Sequence, residues 1–191
     1  ADFGYEYSSS DEIIDKNNLK MRTDADGSIT KNKSIVLAIM TADCAPIFIF
    51  DSDCSFVCSL HIGWKGCLAN IVKTAVYKII EMHITTQNLI AIIGPCLSKV
   101  NFEVDKNFKK NFINKKSNYK IFFKEDNNGD RIYFNMRGLI NQQLRESLIN
   151  NIFHVNKDTY TEESLFFSHR RATHKGGLPT GKMINIYRYK Q

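Results

Sequence analysis

Two apolar runs, Ile35–Met40 and Ile47–Phe50, separated by six residues, decide most of what this chain can become. A short continuous apolar run bounded by turn residues reads as a buried strand, covered by other structure instead of half in water. The interruption, Thr41-Ala42-Asp43-Cys44-Ala45-Pro46, therefore sets an aspartate and a cysteine between two core strands. Asp51-Ser52-Asp53 reads as a turn, and Ser55 to His61 as a third strand. Gly63-Trp64-Lys65-Gly66 follows. A helix is then expected from Cys67 to Met82, with Ile71, Ala75, Val76 and Ile79 at helical spacing.

The rest of the chain continues to mix the two periodicities. Leu89–Ile93 reads as a strand ended by Gly94-Pro95, and residues 105–116 as a basic helix with Phe108 and Phe112 on its apolar face. Lys120–Phe123 and Ile132–Phe134 are expected to pair as a hairpin around Asp126-Asn127-Asn128-Gly129-Asp130. Met136–Asn150 is expected to be helical, with strands at Leu165–Phe167 and Met183–Tyr187. Residues 1–33 are polar and irregular, with Thr23 to Ser28 reading as a turn or loop. Repeats and low-complexity linkers are absent, so the economical expectation is one domain of mixed α and β structure over residues 1–191.

Composition narrows the function classes. Hydrophobic residues at 43% and charged residues at 24% exclude disorder as the main state. No apolar stretch is long enough for a membrane helix, and the first residues lack a signal-peptide pattern, which implies a cytoplasmic protein. The net charge of +6 comes from lysines scattered among asparagines, with no helix–turn–helix, zinc-finger or RNP pattern. Nucleic acid is thus not the expected partner, whereas phosphate-bearing small molecules suit the charge. Five cysteines, an odd number set in apolar runs, imply free thiols in a reducing compartment, and the Cys54/Cys58 pair reads as packing.

Three loops carry reactive residues at strand ends. Cys44, beside Asp43, is either a core thiol or a nucleophile or ligand. His61 ends a strand before two glycines and a helix start, whose free N–H groups suit an anion; a core histidine bonded to a carbonyl is the plain alternative. Phe166-Phe167-Ser168-His169-Arg170-Arg171 offers two guanidinium groups that suit phosphate or carboxylate, against the plain alternative of a solvated basic loop. His169 and His174 are weaker ligand candidates.

Taken together, the loops carry a specific resemblance. Thr41–Pro46, His61-Ile62-Gly63-Trp64-Lys65-Gly66, Ile93-Gly94-Pro95-Cys96, Asn101-Phe102-Glu103-Val104, Thr159-Tyr160-Thr161-Glu162 and Phe166–Arg171 stand in the order and approximate spacing of the YfiH-like family. That family is also called the laccase-domain, multicopper polyphenol oxidoreductase or purine nucleoside phosphorylase family. The resemblance implies an α+β fold, a layered α/β/β/α sandwich with mixed β-sheets, shared with cysteine hydrolase-like toxins. It implies a metal, zinc with copper as the alternative, held by Cys44, by His61 seventeen residues later, and by a further upstream histidine. No histidine precedes His61 here, so the expectation is a domain lacking its N-terminal segment, with weak metal binding.

Residue by residue, the resemblance places Cys44, His61, Asp43, Arg170 and Arg171 in the catalytic machinery, and Trp64, Gly66 and Ser168 against substrate. Phosphate would approach Arg170 or Arg171, and Asp43 is a candidate base or a stabiliser of its loop. The implied activity is phosphorolysis of adenosine, inosine or methylthioadenosine, with adenosine deamination beside it. Three alternatives stand against it: an amidase of peptidoglycan precursors using Cys44 as nucleophile and His61 as base, copper-dependent phenol oxidation, and a non-catalytic ligand-binding domain. The family's C-T-Y stretch reads Asp158-Thr159-Tyr160 here. In its arginine segment His169 replaces Tyr, Ala172 replaces Asp and Lys182 replaces Arg, around an enlarged loop.

Overall fold

Alternation along Leu89–Ile93 shows how the central sheet is built: Leu89, Ala91 and Ile93 are buried, and Ile90 and Ile92 between them only half so. The computed structural model describes residues 3–7, 25–177 and 179–189. Its elements are β1 (Phe3–Tyr7), β2 (Gly27–Thr30), β3 (Leu37–Thr41), β4 (Ala45–Asp51), β5 (Val57–Ile62), α1 (Trp64–Ala69), α2 (Ile71–Glu81) and β6 (Leu89–Ile93). Then come β7 (Glu103–Val104), α3 (Lys106–Lys115), a 3-10 turn (Ser117–Phe122), β8 (Phe123–Glu125), β9 (Ile132–Phe134), α4 (Met136–Glu146), β10 (Asn151–His154), α5 (His169–His174) and β11 (Met183–Tyr187).

The architecture is mixed α+β. Six strands form a sheet in the order β1-β2-β5-β4-β6-β10, with β1 parallel to β2, β10 parallel to β6, and the other pairs antiparallel. One face meets helices: Ile47, Ile49, Leu60 and Ile62 from the sheet share a core with Ile71, Val72, Ala75 and Ile79 of α2 and Leu139, Ile140 and Leu144 of α4. The other face carries an antiparallel ribbon of β3 and β11, sealed by Leu37, Val57 and Tyr189. Coverage on both faces is why β5 is buried at every position but His61, and why the apolar runs around Cys44 are nearly unbroken. The ribbon's outward face stays apolar, with Ile184 and Ile186 exposed.

A second aromatic core lies where α3 meets the three-stranded sheet β7-β9-β8. Phe112 stacks on Phe108 at 5.0 Å between centroids and meets Phe134 at 4.8 Å, while Phe123 stacks on Phe134 at 5.0 Å.

Four differences from the sequence expectation have local causes. The helix expected over 67–82 starts earlier, at Trp64, and breaks at Asn70, which takes a left-handed conformation (φ 58°) and caps α2 through its side chain, accepting from the Lys73 N–H. Asparagine tolerates that conformation better than other non-glycine residues, so one residue both ends α1 and begins α2. The helix expected to run to Asn150 stops at Glu146, because Leu148 turns left-handed (φ 65°) and the chain leaves as β10. Lys120–Phe122 are wound into the 3-10 turn, and the β8–β9 hairpin begins at Phe123. Leu165–Phe167 finds no strand partner: the Leu165 and Phe166 N–H groups turn back to the Glu162 carbonyl, and α5 begins two residues after Phe167.

Of the irregular region expected over residues 1–33, Phe3–Tyr7 and Gly27–Thr30 are strands of the main sheet. Thr23 and Asp24 lie outside the described residues. Among the described residues, no helix is long and apolar enough to cross a membrane.

The aromatic core is testable by truncation. Phe112 is fully buried, so Phe112→Ala is expected to cost about 3–5 kcal/mol of unfolding free energy in urea titrations. A loss under about 1 kcal/mol would show that the cluster repacks around the hole.

Candidate functional site

The candidate site forms where the Thr41–Pro46 loop meets the end of β5 and the approach to α5, and the buried carboxylate of Asp43 ties that loop to α5. Asp43 takes φ 88°, a conformation unusual for any residue but glycine. Its Oδ1 accepts the Thr159 hydroxyl at 2.6 Å and its Oδ2 the Arg170 backbone N–H at 2.6 Å. Its own carbonyl accepts from the Leu97 N–H. One aspartate therefore ties the Thr41–Pro46 loop to the Pro95–Leu97 turn, to Thr159 and to the start of α5.

Cys44 follows immediately and sits mostly buried at the head of β4. Its Sγ lies so close to Gly63 that a Cβ built there would fall 2.9 Å from the sulfur, so the glycine leaves room for the thiol. Burial first, then the negative charges of Asp43 and Asp26, push the Cys44 thiol up to about 11. In the protein's own field the neutral thiol is therefore the favoured form at pH 7. A bound cation would reverse that balance.

His61 stands on β5 opposite Pro46 of β4, in the same sheet as the strand that follows Cys44. Its Nδ1 lies 3.1 Å from the Asp26 carboxylate, and its backbone N–H donates to the Asp26 carbonyl at 2.7 Å. Sequence reasoning missed Asp26 because it is 35 residues from His61 and sits in a segment read as a loop. Only the antiparallel pairing of β2 with β5 brings the two together.

Both arginines reach into the protein. Arg171 donates from Nη1 to the carbonyls of Thr159 and Tyr160 and from Nη2 to that of Phe166. Arg170 donates from Nη1 to the Glu103 carbonyl at 2.9 Å, and its guanidinium stacks over Phe102 at 5.5 Å. Among the described residues, Arg171 thus has two guanidinium nitrogens engaged with carbonyls and Arg170 one, which leaves Arg170 the freer to meet an anion.

Ser168 is buried, and its hydroxyl caps α5 by accepting from the Arg171 N–H. Gly66 is buried within α1, packed between Ile62 and Ile71. Trp64 is 38% exposed, stacked in a tilted pair with Phe108 at 5.3 Å.

Asp158 gathers the turns on either side of it. Asp158 accepts from the Ser98 N–H and hydroxyl, the Asn101 amide, the Tyr160 N–H and the Thr161 hydroxyl. Partial burial would raise its carboxyl, but these donors outweigh it and hold the group below its ordinary range. It fastens the 98–101 loop to the 158–161 turn that supplies Thr159 to Asp43.

As for a metal, thiolate and imidazole are the right kinds of donor for zinc. The described residues do not supply enough of them: no group of three His, Cys, Asp or Glu side chains able to hold an ion exists among them. Asp26 addresses the back of the His61 ring, and His174 Nδ1 is engaged with the Tyr160 hydroxyl at 2.9 Å. The fit is correct in chemistry and short in number. Cys58 is fully buried, and Cys54 pairs with the Tyr187 hydroxyl, in keeping with packing roles.

The chain as a whole is similar to known proteins. The sequence model of the multi-copper polyphenol oxidoreductase laccase family matches residues 7–190. A purine nucleoside phosphorylase of Rickettsia prowazekii is 36% identical over 151 residues, covering 79% of this chain and 62% of that protein. The purine nucleoside phosphorylase YfiH of Escherichia coli is 29% identical over 162 residues, covering 85% and 63%. The crystal structure of Bacillus licheniformis YfiH superposes with a TM-score of 0.73 at 29% identity, over 85% of this chain and 60% of that one. The chain thus spans about three-fifths of the length of these relatives.

Two outcomes follow from the geometry. Asp43→Asn presents an N–H where the protein has a second acceptor, so it should lower stability by about 1–3 kcal/mol in urea titrations, while a neutral result would deny Asp43 its joining role. For Asp158, a carboxyl held low in the folded state stabilises above its unfolded value and ceases to as pH falls through the folded one. The stability gap between wild type and Asp158→Asn should therefore be full near neutrality and close below the ordinary carboxylate range; a gap independent of pH would overturn the reading.

Proposed function

The chain belongs to the multi-copper polyphenol oxidoreductase laccase family, and on that footing we propose that it is an enzyme of purine nucleosides that cleaves the glycosidic bond with phosphate. The observation that carries this reading is the Asp26–His61 pair beside Cys44, whose neighbour Asp43 accepts the Arg170 backbone N–H. Relatives named purine nucleoside phosphorylase support the substrate class.

In this reading Arg170 meets the phosphate with the part of its guanidinium not turned to Glu103. Trp64, partly exposed and backed by Phe108, offers a face for the purine ring. His61 Nε2 moves the proton: it accepts one from the phosphate monoanion, whose oxygen bonds to C1′ as the C1′–N9 bond breaks, and returns it to the departing base. Atoms balance as nucleoside plus phosphate giving ribose 1-phosphate and free base. The same nitrogen suits activation of water at purine C6, so adenosine deamination is read as an accompanying activity.

Cys44 and His61 Nε2 are the donors a zinc ion, or copper in its place, would draw on; it would ionise the thiol and supply a Lewis acid when bound, and with Nε2 so occupied His61 would be a ligand in place of a proton carrier. Because the described residues provide two donors, no step is routed through it. The amidase reading is less favoured, because a thiol pushed up to about 11 is a weak nucleophile at neutral pH. Phenol oxidation with several coppers needs more donors than Cys44 and His61 supply.

The deciding assay is release of hypoxanthine from inosine with and without phosphate. Phosphate-dependent turnover that falls about 100-fold or more in His61→Ala is the expected result. Turnover that ignores phosphate, or none in the wild type, would overturn the proposal.

A further inference from the structure

Resting on the nucleoside reading, we propose that Asp26 is the positioning residue of the site: by accepting the Nδ1–H of His61 it fixes the imidazole in one tautomer and leaves Nε2 as the only acceptor on the ring. A neutral imidazole has one donor and one acceptor nitrogen, and the partner of one nitrogen decides the role of the other. Asp26 lies 3.1 Å from Nδ1, and a carboxylate can only accept there.

The carboxylate is placed by the sheet. The Asp26 carbonyl takes the His61 N–H at 2.7 Å, Gly27 pairs with Leu60, and the next pair is cross-linked by the Ser28 and Ser59 hydroxyls at 2.8 Å. Asp26 thus enters the site at a fixed height on β5, with its chain held from that residue onward by the ladder.

A plain surface ion pair is the competing explanation, and magnitudes weigh against it as a reason for the arrangement. His61 and Asp26 side chains are 36% and 39% exposed. Pairs at such exposure contribute little to stability, because solvent screens them. Holding a ring in the wrong tautomer, by contrast, costs orders of magnitude in rate where that ring transfers a proton. The contact does little for the fold and much for the direction in which His61 presents its lone pair.

The experiment is long-range 1H–15N NMR of the histidine rings in the full chain, with imidazole neutral and the His61 signals assigned by loss in His61→Gln. The wild type should show a protonated Nδ1 and a bare Nε2. Asp26→Ala should lose that preference, with an unchanged amide spectrum elsewhere and a tenfold or greater fall in kcat for inosine at nearly constant KM. Asp26→Glu, which keeps a carboxylate, should restore part of both. A wild-type ring protonated on Nε2, or an Asp26→Ala ring identical to wild type, would overturn the proposal. The ring signals are read without substrate, so absent phosphorolysis in the wild type would remove the nucleoside reading and still leave the tautomer result to decide on Asp26.

Discussion

A carboxylate removed from water must be repaid in hydrogen bonds, and Asp43 is where this fold meets that constraint. An isolated buried carboxylate costs several kcal/mol, which directed donors can offset. Asp43 has the Thr159 hydroxyl on one oxygen and the Arg170 N–H on the other. The donors come from segments more than a hundred residues away, so satisfying the charge requires the C-terminal third of the chain to close over the Thr41–Pro46 loop. The unusual backbone angle of Asp43 belongs to the same arrangement, since the loop must reverse tightly between β3 and β4 to aim the carboxylate inward and Cys44 into the site.

Around that hub, charged side chains act as struts. Arg171 gathers three backbone carbonyls, Arg170 reaches back to Glu103, and Asp158 gathers five donors from two loops. Irregular segments leave polar main-chain groups without ladder partners. These side chains provide the missing partners, which lets three loops hold a defined shape next to a core of regular strands. A thiol at the Asp158 position could not do the same, because it is a weak acceptor.

Much of the fold was legible where burial and periodicity agree. β6, β9 and β11 fall at Leu89–Ile93, Ile132–Phe134 and Met183–Tyr187, as the apolar runs indicate, and α3 differs from its expected range by a residue at each end. Legibility failed where one residue's backbone preference overrode a longer pattern, as at Asn70 and Leu148, and where an apolar run had no strand to pair with, as at Leu165–Phe167. Short strands also escaped: Gly27–Thr30 has too few residues to show a period, and its place is set by β5. The site divides in the same way. Cys44, His61 and the two arginines stand out as residue types in motif order, whereas Asp26 is visible only once the sheet is assembled, and the inward reach of Arg171 depends on where carbonyls from distant turns arrive.

Parity along β5 has a last consequence. Val57, Ser59 and His61 point to one side of the sheet, and Cys58, Leu60 and Ile62 to the other, where the helices pack. A strand that paired one residue out of step would send His61 into the helix-facing interior and Leu60 to the ribbon side, where the small Ser59 is the buried residue. Such a chain would lose its core along with its imidazole, so a well-packed yet inert impostor cannot arise from that error.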